Sequence, residues 1–220
     1  MGVSVAGPAG RGRPLRNGRG LLDRQAIVAA ALAVARTEGL PAVTMRRIAD
    51  ELGCGPMSLY RHVADRDALV LEMLDVVAAG IDVPPPSPDP RAELTGLLTA
   101  VHAALAVDHW AVLPLVAEGF ASPRILPVLD RALAALTRVG LTGRARLAAH
   151  QMLWQYVFGE LLWTHHDQPD SLGKRMVRAA SPQDFPAIAD AVRTASVHPA
   201  ENFPENLQRL LDGVLGGGSR

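Results

Sequence analysis

The run Pro56-Met57-Ser58-Leu59-Tyr60-Arg61-His62-Val63 gathers several chemically active side chains in two helical turns. Ser58 and Tyr60 offer hydroxyls, Arg61 a guanidinium with five donors, His62 an imidazole, and Met57 an apolar surface. Leu59 and Val63, four residues apart, can bury on one helical face. That leaves Met57, Ser58, Tyr60, Arg61 and His62 on the exposed sides. Such a set can donate hydrogen bonds to phosphate oxygens and base edges and lay an apolar contact on a thymine methyl. Arg46 and Arg47 upstream and Arg66 downstream surround the same face with positive charge. A tight turn between two helices is also common where no nucleic acid binds, so the basic surround carries the reading.

Rival chemistries find little support. There is no G-x-S-x-G, no phosphate-binding loop, no H-E-x-x-H and no other recognisable nucleophile–base set. The chain is read as not an enzyme and as needing no cofactor. His165-His166 with Asp167 suggests a metal site, but adjacent helical side chains point about 100° apart, so a solvated helix end is the better reading and no metal is expected. Cys54 reads as a small packing residue.

The elements that must position these groups are helical. Of the 220 residues 49% are hydrophobic but only 4% aromatic, and Ala, Leu and Val dominate. Asp23 caps a helix "RQAIVAAALAVARTE" whose Ile27, Ala30, Ala31 and Val34 form a stripe, and Gly39 ends it. Thr44 caps "MRRIADEL", with Ile48 and Leu52 inward. After "GCG", Pro56 starts a third helix, "PMSLYRHV", and Asp65 caps a fourth from Arg66 to about Ala79. Two short helices separated by such a turn have helix-turn-helix spacing, in which the second helix enters the major groove.

"GIDVPPPSPDP", Gly80 to Pro90, is the clearest boundary, because its five prolines cannot continue a helix. Beyond it, helices are expected over 91–107, 108–118, 123–139, 143–166, 182–196 and 203–215, with 167–183 as a loop. The last carries an apolar stripe of Leu207, Leu210, Leu211, Val214 and Leu215. The fold class is therefore all-α: a three-helix DNA-binding domain with a helix-turn-helix, joined by a linking helix to a second α-helical domain. The expected divisions are a disordered basic tail (1–20), a DNA-binding domain (21–80) and a second helical domain (81–220).

Net charge is zero, yet residues 1–66 hold ten basic against five acidic side chains, while the remainder holds twelve against seventeen. A basic first third suggests a polyanion-binding head, with chance clustering of surface charge as the bland alternative. Residues 1–20 are rich in Gly and Arg and lack hydrophobic periodicity, so they form either a basic arm along DNA or a solvated leader. A single cysteine fits a reducing compartment. No uninterrupted apolar run reaches about 18 residues, and the N-terminus has no hydrophobic signal core; the expectation is a soluble, cytoplasmic protein with no membrane partner.

Over about residues 22–75 the sequence resembles the N-terminal domain of the TetR/AcrR family of bacterial transcriptional regulators. The likeness is carried by "EGLPAVTMRRIADELG", "SLYRHV" and "DRDAL". The remainder is similar, in layout and in "DHWAVLPL", to the ligand-binding, dimerising domains of the tetracycline-repressor-like branch. The resemblance implies DNA contacts at Thr44, Arg46 and Arg47, at Pro56, Met57, Ser58, Tyr60, Arg61 and His62, and at Arg66. Tyr60 and Arg66 would clamp phosphates, with Met57, Ser58 and Arg61 nearer the bases. It also implies a small-molecule effector held between the helices of the second domain and released-operator control through the Arg66–Ala79 helix.

Residue types place the effector site near the grouped aromatics: His102, Trp110, Gln151, Trp154, Gln155 and Phe158 are the expected lining, with core or dimer packing of Trp154 and Phe158 as the alternative. The expected partners are double-stranded DNA with a palindromic operator, a small-molecule effector and a second copy of the chain. The dimer would pair the 143–166 helix and the 203–215 stripe of each copy. A DNA-binding protein without an effector is the alternative.

Overall fold

A computed structural model describes residues 22–165, 171–194 and 202–216, so the basic tail and the His166-Asp167 pair lie outside the described residues. Among the described residues the secondary structure is helical throughout, in eleven α-helices and three short 3-10 turns. The first four helices are α1 (Arg24–Glu38), α2 (Met45–Glu51), α3 (Pro56–Leu59) and α4 (Arg66–Ala79). Local capping sets their starts: the side chains of Asp23, Thr44 and Asp65 accept the backbone N–H of Ala26, Arg47 and Ala68. Gly39, at φ 82°, turns the chain out of α1 in a conformation that glycine adopts without cost. Ile27, Ile48, Leu59, Val63 and Leu69, none more than 1% exposed, pack these helices together.

The second part comprises α5 (Pro90–Val107), α6 (Val112–Ala117), α7 (Leu126–Arg138), α8 (Gly143–His165), α9 (Leu172–Arg178), α10 (Pro186–Thr194) and α11 (Phe203–Gly216). Helices α5, α7 and α8 pack mutually, with α11 laid against α5 and α8. Buried apolar residues from α1 to α11 form one continuous cluster, so the core does not stop at the proline segment.

Three expectations need correction. The 108–118 helix is a 3-10 turn, His109–Ala111, followed by α6, because Asp108 leaves the helical region and its side chain is engaged elsewhere. The expected loop 167–183 contains α9, started by Ser171, whose hydroxyl accepts the Lys174 N–H. The α11 stripe faces inward within its own chain: Leu207 and Leu211 are fully buried, so it is not free to pair with a second copy.

The proline segment is tied down. Arg131 bridges α7 to Glu93 of α5 at 2.6 Å and donates to the Pro84 carbonyl at 2.9 Å. The other Glu93 oxygen accepts the Ser87 N–H at 2.7 Å. Arg138 donates to the Ser87 carbonyl. Gly96 makes room for the Pro84 ring, since a β-carbon there would come within 3.0 Å of it. No single described helix is long and apolar enough to cross a membrane; only the bent pair Pro90–Val107 and His109–Ala117, taken together, reaches that length and composition.

Candidate DNA-reading face and ligand cavity

The turn between α2 and α3 is built by Gly53 at φ 62° and by the Cys54 N–H bonding back to the Ala49 carbonyl. Cys54 itself packs against the core. The third helix is shorter than "PMSLYRHV" predicts: α3 closes at Leu59, whose carbonyl accepts from both the His62 and Val63 N–H groups. The His62 carbonyl goes instead to Arg24, which reaches it with Nε at 3.2 Å and Nη2 at 2.9 Å. Nothing local in the sequence announces that bond, since 38 residues separate its ends.

Burying Leu59 and Val63 leaves Pro56, Met57, Tyr60 and Arg61 exposed, with Met57 77% accessible, and Ser58 and His62 half-buried. Thr44 and Arg46 are exposed on α2. The basic residues divide into two sets. Arg47 lies between Glu38 and Glu51, 2.7 Å from each. Arg66 turns inward and donates to the Val43 carbonyl at 2.9 Å and the Leu40 carbonyl at 3.3 Å, bracing the start of α4 on the segment before α2. Arg24 adds Glu72, 3.4 Å away, to its bond with His62. Arg46 and Arg61 alone among the arginines of this face carry no hydrogen bond or ion pair within the described residues.

A cavity of about 460 Å³ lies between α4 and α8. One wall is Leu74, Val77 and Ala78 of α4 with Ile81 beyond it; the opposite wall carries His150, Trp154 and Phe158 of α8. Gln151 and Gln155 supply amides, and Ser122 a buried hydroxyl, in an otherwise apolar lining that, among the described residues, holds no Lys, Arg, Asp or Glu. The Trp154 indole N–H donates to His150 Nε2 at 2.9 Å, and burial pushes the His150 pKa down, so this imidazole stays neutral. The Trp154 and Phe158 rings stand 5.9 Å apart.

Of the six residues expected to line this cavity, the structure brings Gln151, Trp154, Gln155 and Phe158 to it. The lining does not include His102 or Trp110. His102 lies 2.5 Å from the Glu160 carboxylate and stacks on Phe203 with ring centres 3.7 Å apart, among α5, α8 and α11. Trp110 is buried and donates its indole N–H to Asp108 at 2.9 Å.

Sequence reasoning missed the α4 wall and the contacts that tie α4 and α1 to the second part. Asp75 of α4 accepts from the Ser122 hydroxyl at 2.8 Å and from Arg124 at 2.6 Å, and the Arg124 guanidinium holds the Asp75 carboxyl below its usual range. Arg36 of α1 grips Asp108 with two parallel N–H···O bonds of 2.7 and 2.8 Å, and that partner raises its own pKa. The partners are 47 and 72 residues apart, and no spacing rule links them.

Comparison with known proteins bears on both halves. Residues 27–73 match the family model of bacterial regulatory proteins of the tetR family, and residues 85–216 match the tetracyclin repressor-like C-terminal domain. An HTH-type transcriptional regulator of Saccharopolyspora erythraea is 30% identical over 203 residues, covering 88% of this chain and 85% of that protein. The HTH-type transcriptional repressor DrrR1 of Streptomyces coeruleorubidus is 28% identical over 217 residues, 92% of this chain and 80% of that one. Among solved structures, ActR of Streptomyces coelicolor in complex with actinorhodin superposes with a TM-score of 0.72 at 25% identity, over 90% of this chain and 99% of that chain.

Proposed function

The chain belongs to the tetR family of bacterial regulatory proteins and is a ligand-responsive DNA-binding regulator of transcription; from that premise we propose that it is a homodimeric repressor released from a palindromic operator by an uncharged, largely apolar small molecule. The observation that carries the proposal is the shared wall: Leu74, Val77 and Ala78 lie on the same helix whose first turn is braced against the DNA-reading unit by Arg66. A molecule seated in the cavity must press on α4. Through α4 it alters the setting of α3 by whatever difference in affinity it has for the two arrangements.

Residue chemistry supports an effector of this class. A neutral His150, two amides and a hydroxyl can accept and donate hydrogen bonds but cannot balance a formal charge in an apolar cavity. The rings of Trp154 and Phe158 favour a flat or aromatic portion. That ActR has been solved in complex with actinorhodin supports a small-molecule effector for this chain. Met57, Ser58, Tyr60, Arg61 and His62 would face the major groove, with Arg46 on α2 beside them. Arg66, being bonded inward, braces α4 in this reading instead of clamping a phosphate.

The dimer would use the outward faces of α8 and α11, where Met152 and Trp163 are exposed and Gly213 and Gly216 leave open space. Two-fold pairing sets two copies of α3 about 34 Å apart, one turn of DNA. Selection of bound duplexes from random DNA should yield an inverted repeat, and a panel of uncharged aromatic compounds should contain one that both raises the melting temperature and releases that duplex. Failure to enrich any sequence would sink the proposal; so would a stabilising compound that left DNA binding untouched.

A further inference from the structure

The polar groups that line the cavity between α4 and α8 are not equally free to meet a ligand. Ser122 has no proton left to give: its hydroxyl donates to the Asp75 carboxylate at 2.8 Å, and its oxygen accepts the Arg124 backbone N–H at 3.1 Å. The Trp154 indole has one N–H and no acceptor, and that N–H is spent on His150 Nε2 at 2.9 Å. Gln151 and Gln155 are exposed, and an amide can turn either its oxygen or its nitrogen to a ligand. His150 differs from both, because it is half-buried and its polarity is fixed.

The bond from Trp154 fixes it. A ring nitrogen that accepts an indole N–H must present a lone pair and so carries no proton. Burial holds the imidazole neutral, and its single ring proton therefore sits on Nδ1. This Nδ1–H has no partner among the described residues. The helix keeps the arrangement in place, since His150 and Trp154 lie four residues apart on one face of α8. The Trp154 ring is itself buried and set against Phe158. An apolar cavity thus carries one hydrogen-bond donor that cannot reverse its role.

We propose that His150 is the specificity-determining residue of the effector site, its Nδ1–H selecting molecules that carry a hydrogen-bond acceptor, such as a carbonyl oxygen, on an otherwise apolar ring frame. The inference rests on the effector reading above and narrows it. An occupant that accepts from Nδ1–H gains a bond in apolar surroundings, whereas one that covers the donor without accepting leaves a buried N–H unpaired. A site built around such a donor rejects the analogue that lacks the acceptor atom, which a purely apolar wall cannot do.

The test uses the full chain and two uncharged, flat probes, fluorenone and fluorene, which share a ring frame and differ in one carbonyl. Titration calorimetry should show fluorenone bound roughly fivefold to tenfold more tightly, the worth of one buried hydrogen bond. His150→Phe should bring the two affinities within about twofold of each other. The nitrogen NMR spectrum of the imidazole rings supplies a readout that needs no ligand. With His150 assigned by its change in Trp154→Phe, the unaltered chain should show the proton on Nδ1, and the variant a mixture of tautomers. Equal affinities for the two probes in the unaltered chain overturn the inference, as does a preference that survives His150→Phe or a ring proton found on Nε2. If neither probe binds, it is the reading of a flat, uncharged effector that falls, and this inference with it, even where the proton is found on Nδ1.

Discussion

Removing Arg36 should loosen the junction between α1 and the second part by a predictable amount. The Asp108 carboxylate is only 7% exposed and takes three N–H donors, two from Arg36 and one from Trp110. Replacing Arg36 with Leu keeps the apolar stem but leaves a buried charge with one donor. Breaking a fully buried pair in this way costs about 3–5 kcal/mol, whereas an exposed pair is worth about 0–1 kcal/mol. Arg36 is 47% exposed, so water can follow the departing guanidinium, and the cost should fall between these limits, about 2–3 kcal/mol. For a chain of this size that corresponds to a melting temperature lower by about 5–10 °C. Asp108→Asn should cost about 1–2 kcal/mol, through loss of the charge-assisted bonds.

The cycle is decisive. The double variant should cost less than the sum of the singles by about 1–2 kcal/mol, because each single already abolishes the same interaction. Urea unfolding at one fixed protomer concentration measures all four chains, since dimerisation makes stability depend on concentration. Single costs under about 0.5 kcal/mol that add without coupling would show a solvated surface pair and refute the reasoning.

Other outcomes follow from the same contacts. Arg61→Ala should weaken binding to a selected operator by about 1–3 kcal/mol and to random DNA by less; equal losses on both would argue against base readout. Arg47→Ala should weaken DNA binding less than Arg46→Ala, because Glu38 and Glu51 already hold its charge, and the reverse ranking in a gel-shift titration would show that those pairs open on DNA. Gly96→Ala should not deliver the roughly 1 kcal/mol that alanine usually adds to a helix, since its β-carbon meets a Pro84 ring fixed by Arg131; a full gain in urea would show that the ring can yield. Glu93 has its pKa lowered chiefly by the Arg131 hydrogen bond. Its share of stability is therefore present above its ordinary value of 4.5 and is lost as pH falls through the depressed one. Glu93→Gln should flatten that acid limb of the stability curve, and an unchanged limb would disprove the assignment.

Much of the head was legible because its signals are local. Asp23 and Asp65 define the starts of α1 and α4, and Gly39 and Gly80 their ends, where the sequence alone places them. The spacing of Leu59 and Val63 correctly separates the inner from the outer side of the reading segment. Its length was not legible, since the His62 carbonyl is drawn to Arg24 from another helix. The four expected residues that reach the cavity, Gln151, Trp154, Gln155 and Phe158 of α8, share one helical face, which periodicity can show. His102 and Trp110 have the same residue types but buried acidic partners, Glu160 and Asp108, and only tertiary packing reveals that. The positive charge that pointed to a polyanion was read correctly in sum and wrongly in place: on the folded head it is mostly neutralised by Glu38, Glu51, Glu72 and Asp108.

Regulators of this kind invite part exchange, in which the head of one is grafted onto the sensor of another to rewire a response. The half-buried grip of Arg36 on Asp108 sets a compatibility rule for such hybrids. A foreign head lacking a guanidinium at this place would strand the carboxylate beneath it, and a foreign sensor lacking the acid would leave an arginine against an apolar floor. Successful chimaeras built from this chain should therefore carry both residues across the seam or neither, whichever proline segment joins the parts.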